Sequence, residues 1–325
     1  MSVNVGFYKG IIETCFPDLR VTHIRFVGGG TCRVFAVNHA LIFRFPHGDG
    51  SVAGEKPSEA EGAFLFHEKR VYAALAPLLP LPIPRYRYFS TGCAQFPYPV
   101  AGYEKLPGRS LSACQLNSQE LAGVARQIGE FLSALHAIPL TVLPAELQPP
   151  SPASLGRSNA RSLFREVEAR AFPLLNAAEQ AWTSRLFQEL YSNHTLWKLT
   201  PVFTHGDFDG SNILYAASQG IVSGIIDFEE AGQNGDPAAD FCALLAGFGT
   251  AFLEAVLAAY TLDVSAAMRR RIDLHAKRIL FIELLYGIQT NDRRFIDNAR
   301  QRLHRARHDL DPIGDWLDVS TSETR

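Results

Sequence analysis

The first hundred residues alternate apolar and polar positions in short runs, the pattern of half-buried strands. Val21–Val27, Arg33–Asn38 and Ala40–Phe45 read as three such strands. Gly28, Gly29 and Gly30 separate the first two, and Asn38-His39 marks a tight hairpin between the second and third. His47 to Gly62 is rich in Gly, Ser, Glu and Pro and reads as a loop. The period then changes: Phe64, His67, Val71 and Leu75 recur at three and four, which predicts a helix over Ala63–Leu75. Pro77, Pro80, Pro82 and Pro84 stop it. Arg85–Phe89 and Pro99–Leu106 return to strand, and Pro107-Gly108 reads as a linker.

Beyond the linker the pattern is mostly helical. Ser118–Ala137 carries Leu121, Val124, Ile128, Phe131, Leu132 and Leu135 on one stripe. Leu143–Ser158 is Pro-rich and predicts irregular structure, whereas Arg161–Tyr191 reads as largely helical with a weaker period. Thr204–Phe228 differs, with short apolar strands bracketing polar residues. The remainder reads as helix as far as a polar tail from Val319. Phe241–Leu262 is apolar and about long enough to span a bilayer. Glu254 lies within it and Gly247 and Gly249 interrupt it, so a pair of buried core helices is expected instead. No internal repeat is evident.

Composition narrows the class. With 325 residues the chain exceeds a comfortable single core, which predicts two lobes. A formal net charge of -2 offers no polycation for nucleic acid and no acidic tail. The five cysteines are widely spaced without a C-x-x-C, which favours free thiols in a reducing cytoplasm over zinc or disulfides. Met1–Gly10 lacks a basic stretch followed by an apolar run, so no signal peptide is expected. The expectation is a cytoplasmic protein, monomer or weak dimer, with neither nucleic acid nor membrane as partner.

The chemistry concentrates between Pro201 and Asp240. Val202-Phe203-Thr204 leads into His205-Gly206-Asp207, then Asn212-Ile213-Leu214-Tyr215, then Ile225-Ile226-Asp227-Phe228, then Gly235-Asp236-Pro237 and Asp240. A carboxylate in a polar turn after a strand, an amide five positions on and a second carboxylate closing a further strand are the parts phosphoryl transfer needs. One carboxylate orients and deprotonates the attacking hydroxyl, and hard oxygens hold Mg²⁺. Asp and Asn suit Mg²⁺ and are poor zinc ligands.

The run H-G-D-x-x-x-x-N-I-L, followed by I-I-D-F and G-D-P-A-x-D-F, resembles the aminoglycoside phosphotransferase family, a branch of the protein-kinase-like fold. Ile42–Pro46, Leu79–Pro84 and Ala101–Leu111 further resemble its 2″-phosphotransferase branch. The resemblance implies an α+β, two-lobed kinase-like fold. Its N-terminal nucleotide-binding lobe, 1–103, would be a small antiparallel sheet with one helix. Its larger, mainly helical C-terminal lobe, 104–325, would carry catalysis and the acceptor. Asp207 would be the catalytic base, Asn212 and Asp227 the Mg²⁺ ligands, and Asp236 and Asp240 structural supports.

The same resemblance implies a nucleotide site. Arg44 stands where the family usually has the lysine that contacts the α- and β-phosphates. Arginine grips phosphate through a wider fork, so the two are not interchangeable. Glu68 is the expected helix partner, with Glu61 second. Gly29, Gly30 and Thr31 could bring backbone amides to phosphates, and the Glu104 carbonyl and Leu106 amide would hold the purine edge. There is no Walker A sequence, which disfavours a P-loop enzyme.

The implied activity is transfer of the γ-phosphate of ATP or GTP to a hydroxyl of an aminoglycoside-like small molecule, as in antibiotic resistance. A metabolic kinase with a sugar, amino alcohol or macrolide acceptor, and a catalytically weak nucleotide-binding module, stay open. A polycationic acceptor calls for carboxylates, for which Asp209, Glu229, Glu230 and Glu283 are the candidates. Against it stands a basic C-terminal region, from Arg269–Arg271 through Lys277, Arg278, Arg293 and Arg294 to Arg300, Arg302, Arg305 and Arg307. Facing the acceptor, these would favour an anionic one; on outer helix faces they carry no such meaning. Trp316 and Tyr286 could line a sugar platform, but buried aromatic core is the expected role.

Overall fold

The computed structural model describes residues 3–29, 32–47, 62–150 and 152–308, with 152–155 described by backbone alone. The chain forms two compact units, Met1–Pro107 with Ser223–Glu229, and Gly108–Val222 with Glu230–Arg325. The break falls at the Pro107-Gly108 dipeptide.

The first unit opens with a helix absent from the sequence reading, α1 (Val5–Cys15), capped by Asn4, whose side chain accepts the Phe7 N–H at 3.2 Å. Its Tyr8, Ile11 and Ile12 are buried at helical spacing. The lobe therefore has two helices rather than the one expected. Strands β1 (Ile24–Gly28), β2 (Cys32–Val37) and β3 (Leu41–Pro46) follow, then α2 (Ala63–Leu75), β4 (Tyr86–Ser90) and β5 (Val100–Glu104). They make an antiparallel sheet of order β1-β2-β3-β5-β4. Asn38 and His39 turn the β2–β3 hairpin with φ of 50° and 60°. Phe35, Phe43 and Phe45 pack with Tyr8, Ile11 and Val100 on one face. The pleat turns Arg44 to the other face, where Ala36, Ile42 and Tyr103 lie.

In the second unit β6 (Arg109–Ser110) pairs with β7 (Ile213–Ala216), and β8 (Ile221–Ile225) begins there. Helix α3 (Ser118–His136) starts from an Asn117–Glu120 capping box. Pro152 opens α4 (Pro152–Glu166), so the expectation of irregular structure through Ser158 is corrected: proline is tolerated in a first turn, where its missing N–H is not needed. Helices α5 (Ala177–Ser192), α7 (Ala266–Thr290) and α8 (Arg293–Arg307) join α4 around Phe187, Trp197 and Phe281. Val202–Thr204 is extended but forms no strand; it bonds loop backbone instead, Val202 N–H to Gly235 O and Gly232 N–H to Thr204 O.

Helix α6 (Ala239–Ala259) is long and apolar enough to cross a membrane by length and composition, and half of its apolar window is buried. It breaks at Gly249 (φ 82°, ψ 179°), and Glu254 pairs with Arg269 at 2.5 Å.

Candidate functional site

In the first unit the site is built around Glu68. This α2 carboxylate is buried and accepts five hydrogen bonds. Arg44 Nη1 donates to both oxygens at 2.6 and 2.7 Å, Tyr72 Oη at 2.7 Å, Tyr86 Oη at 2.6 Å and the Phe228 N–H at 3.1 Å. A buried charge is tolerable only when so satisfied. Because Phe228 follows Asp227, Glu68 holds both the strand arginine and the backbone of the I-I-D-F segment. Tyr72 and Tyr86 escaped the sequence reading; their spacing and type matched ordinary core. Burial, then Glu68, pushes both phenols well above their usual pKa.

Arg44 is as fully engaged. Its Nη2 donates to Asp227 Oδ1 at 3.0 Å and Glu229 Oε2 at 3.3 Å, and its Nε to Cys32 Sγ at 3.3 Å. A guanidinium has five N–H donors, and five protein acceptor atoms surround this one. Burial works to lower its pKa, but Glu68, ahead of Tyr86, Cys32 and Asp227, holds it well above the ordinary value. Asp227 itself adopts φ 67°, a left-handed backbone that Asp tolerates better than most residues.

Gly29 has φ 143°, and a Cβ there would lie 1.8 Å from Cys32 O, so only glycine fits this turn. Gly30, Thr31 and Glu61 lie outside the described residues. Glu104 ends β5 and pairs at the surface with Arg87 at 3.1 Å. Lys105 N–H bonds Ala40 O, whereas the Leu106 N–H has no hydrogen-bond partner among the described residues.

In the second unit the H-G-D turn is closely packed. Gly206 takes φ 90°, and a Cβ there would meet Glu230 O at 2.5 Å. The Phe208 ring is buried and stacks on Phe131 at 5.8 Å, which anchors the turn and leaves Asp207 exposed. Asn212, itself buried, donates Nδ2 to Asp207 O at 2.9 Å and to Asp207 Oδ2 at 3.0 Å.

Asp240 clamps this turn from the first turn of α6. It accepts the His205 N–H at 2.7 Å and the Gly206 N–H at 2.8 Å. His136 sits between Asp240 Oδ2, 3.0 Å from its Nε2, and Tyr260 Oη, 2.9 Å from its Nδ1. Asp236 is bound by Arg271 Nε at 3.1 and 2.9 Å, His275 Nε2 at 3.4 Å and the Ala238 N–H at 3.0 Å. Burial works to raise the Asp236 pKa, but His275, Arg271 and that N–H hold it below the usual value. Burial lowers that of His275.

The acceptor candidates are largely spoken for. Glu229 pairs with Arg44, and Glu283 with Arg302 at 2.6 Å. Asp209 accepts from Ser211 N–H, Ser211 Oγ and Asn212 N–H at 2.7, 2.6 and 3.3 Å, holding its own turn. Glu230 is exposed. Part of the basic region is met by carboxylates: Arg269 pairs with Glu254, Arg270 with Glu189 and Asp273, and Lys277 with Asp273. Tyr286 is exposed and meets Phe295 edge-on, contrary to the expected core role, because it lies on the solvent side of α7; Trp316 lies outside the described residues. A cavity of about 270 Å³ between α5 and α7, lined by Trp182, Arg185 and Arg270, includes none of the site residues.

Each unit carries an oxygen donor of the kind Mg²⁺ takes. With Nδ2 committed to Asp207, Asn212 keeps an amide oxygen that no protein group among the described residues occupies. Asp227 carries a cation already, the Arg44 fork. Mg²⁺ takes one or two protein oxygens and completes its shell with phosphates and water. Among the described residues no three His, Cys, Asp or Glu side chains form a protein-only metal cage.

A family model described as the phosphotransferase enzyme family matches residues 23–275. Viomycin phosphotransferase of Streptomyces vinaceus is 34% identical over 170 residues, covering 51% of this chain and 56% of that protein. The chain thus spans about half the length of the curated relative it matches. The GDP complex of wild-type aminoglycoside 2'-phosphotransferase-IIIa superposes with a TM-score of 0.79 at 25% identity, covering 94% of this chain and 99% of that one. Macrolide 2'-phosphotransferase type I shares the fold with a TM-score of 0.69 at 20% identity, covering 93% and 99%. An antiparallel sheet lobe followed by a mainly helical one is the kinase-like architecture of these enzymes, and this chain belongs to the phosphotransferase enzyme family.

Proposed function

We propose that the protein transfers the γ-phosphoryl group of ATP or GTP to a hydroxyl of an aminoglycoside-like antibiotic. The observation that carries this reading is the exposed Asp207 carboxylate, pinned by Asn212 in a turn that Asp240 clamps. In this reading Asp207 accepts the proton of the acceptor hydroxyl as its oxygen attacks the γ-phosphorus in line, and nucleoside diphosphate leaves. Asn212 and Asp227 are the residues that would hold Mg²⁺, which would neutralise charge on the phosphates. The Arg44–Glu68 pair orients the I-I-D-F backbone and the phosphate-binding face of β3, while the Glu104 carbonyl and Leu106 N–H take the purine edge. The family match and a solved relative's GDP complex support a nucleotide donor.

A second reading, an acceptor with few amines such as a macrolide or a sugar, is favoured by one observation. Glu229 and Glu283, two of the carboxylates a polyamine would need, are paired with Arg44 and Arg302.

The test is diphosphate release with ATP and GTP across kanamycin- and gentamicin-type drugs, viomycin, macrolides and simple sugars. Turnover with an aminoglycoside is the expected result. Turnover with macrolides or sugars alone would transfer the protein to the second reading, and release without any acceptor would contradict both.

A further inference from the structure

Arg44 reaches further than the lysine it replaces. A lysine gathers its three donors on one compact head, whereas the guanidinium fork spreads five over a wider plane and divides them between its arms. Here Nη1 is committed to Glu68 and Nε to Cys32, while Nη2 spans Asp227 and Glu229 at 3.0 and 3.3 Å. Two consequences follow. No donor of Arg44 is left for a phosphate, and Asp227 Oδ1 already faces a positive charge from a side chain that is itself buried. A divalent ion approaching Asp227 meets a buried guanidinium, and displacing it strands that charge unless another anion takes it up. The phosphates of a nucleotide are such an anion.

We propose that Arg44 is a positioning residue that acts as a placeholder cation at Asp227, and that metal and nucleotide enter together by exchange. The Nη2 arm leaves Asp227 and Glu229 for a phosphate oxygen, the metal takes the freed carboxylate, and Nη1 stays on Glu68 as the pivot. The arm thereby makes metal binding conditional on nucleotide, since metal alone offers the guanidinium no new partner. This rests on the assignment of Asp227 as a metal ligand.

The test is Mn²⁺ binding to the full chain, read by loss of the free-ion paramagnetic resonance signal, with and without a non-hydrolysable nucleotide. Wild type, Arg44→Lys and Asp227→Asn are compared; Arg44→Gln, which still donates to Glu68, substitutes should the lysine variant not fold. The expected result is that Arg44→Lys binds Mn²⁺ without nucleotide at least about tenfold more tightly than wild type, from loss of a charge-assisted bond. Equal nucleotide-free affinities in wild type and the Arg44 variant, with Asp227→Asn still abolishing metal–nucleotide binding, would overturn the exchange and leave the metal site standing. Unchanged metal–nucleotide binding in Asp227→Asn would overturn the metal assignment and the exchange with it.

Discussion

Asp240 accepts the Gly206 backbone N–H at 2.8 Å, so the turn that presents Asp207 is held by a carboxylate thirty-four positions later in the chain. The same carboxylate takes the His205 N–H and His136, whose far nitrogen meets Tyr260. Replacing Asp240 with Ala orphans a buried backbone donor, a half-buried one and a buried imidazole, at a cost of about 3 kcal/mol or more. Asp240→Asn keeps the shape but retains one accepting oxygen, its NH2 facing an N–H where the other oxygen stood. Its expected signature is a kcat lowered about tenfold with nucleotide affinity retained, measured by steady-state kinetics and calorimetry. A folded Asp240→Asn variant with wild-type kcat would show that the turn does not need the clamp.

Asp207→Ala is expected to remove transfer while sparing nucleotide binding, because the base touches the acceptor and not the donor. General-base magnitudes put the loss at about 10²-fold or more. Single-turnover rates alongside nucleotide titration check this, and normal turnover would remove Asp207 from the reaction.

Tyr86→Phe isolates one spoke of the Glu68 hub. It deletes a 2.6 Å donor to a buried carboxylate without changing the ring, for an expected cost of about 1.5–3 kcal/mol by urea unfolding. Glu68→Gln removes the charge that faces Arg44 Nη1 and turns an NH2 toward its donors, for an expected cost of about 3 kcal/mol even with Asp227 and Glu229 still on Nη2. A Tyr86→Phe loss below a few tenths would mean that Glu68 is satisfied without it.

These partners mark how far the sequence could be read. Strands β2 and β3 were legible because alternation, the Asn38-His39 turn and flanking glycines agree. Helix α2 was legible because Phe64, His67, Val71 and Leu75 keep a helical period and the prolines after it end it. Helix α1 was hidden by Gly6 and Gly10 within eleven residues. Pairing of Arg44 with Glu68 was expected from the resemblance, but its sharing with Glu229 and Cys32 was not, since contacts across a sheet face leave no local pattern. The clamp by Asp240 was expected only as a supporting role, and His136 and Tyr260 gave no signal, because a lone His on an apolar helix face reads as core.

Acid stability reports on the Asp236–His275 pair. His275 folds with its pKa below the ordinary 6.5, so between the two values the unfolded chain binds a proton that the folded chain does not. Stability therefore falls as pH drops below about 6.5 and levels off below the folded value. Asp236, held below its ordinary 3.8, adds stability that is complete above that value and lost as pH falls through the lower folded one. Unfolding free energies from pH 8 to 3 are expected to decline in two steps, and His275→Gln to remove the upper one. A flat profile between pH 7 and 5 in the unmutated protein would contradict the buried neutral imidazole.

The most direct test of phosphoryl transfer is phosphorus NMR of a reaction holding protein, Mg²⁺, ATP or GTP and an aminoglycoside. The expected result is a new phosphomonoester resonance on the acceptor, growing as the γ-phosphate signal decays and absent with Asp207→Ala. Decay of the γ-signal into inorganic phosphate alone, at the same rate in wild type and Asp207→Ala, would contradict the account.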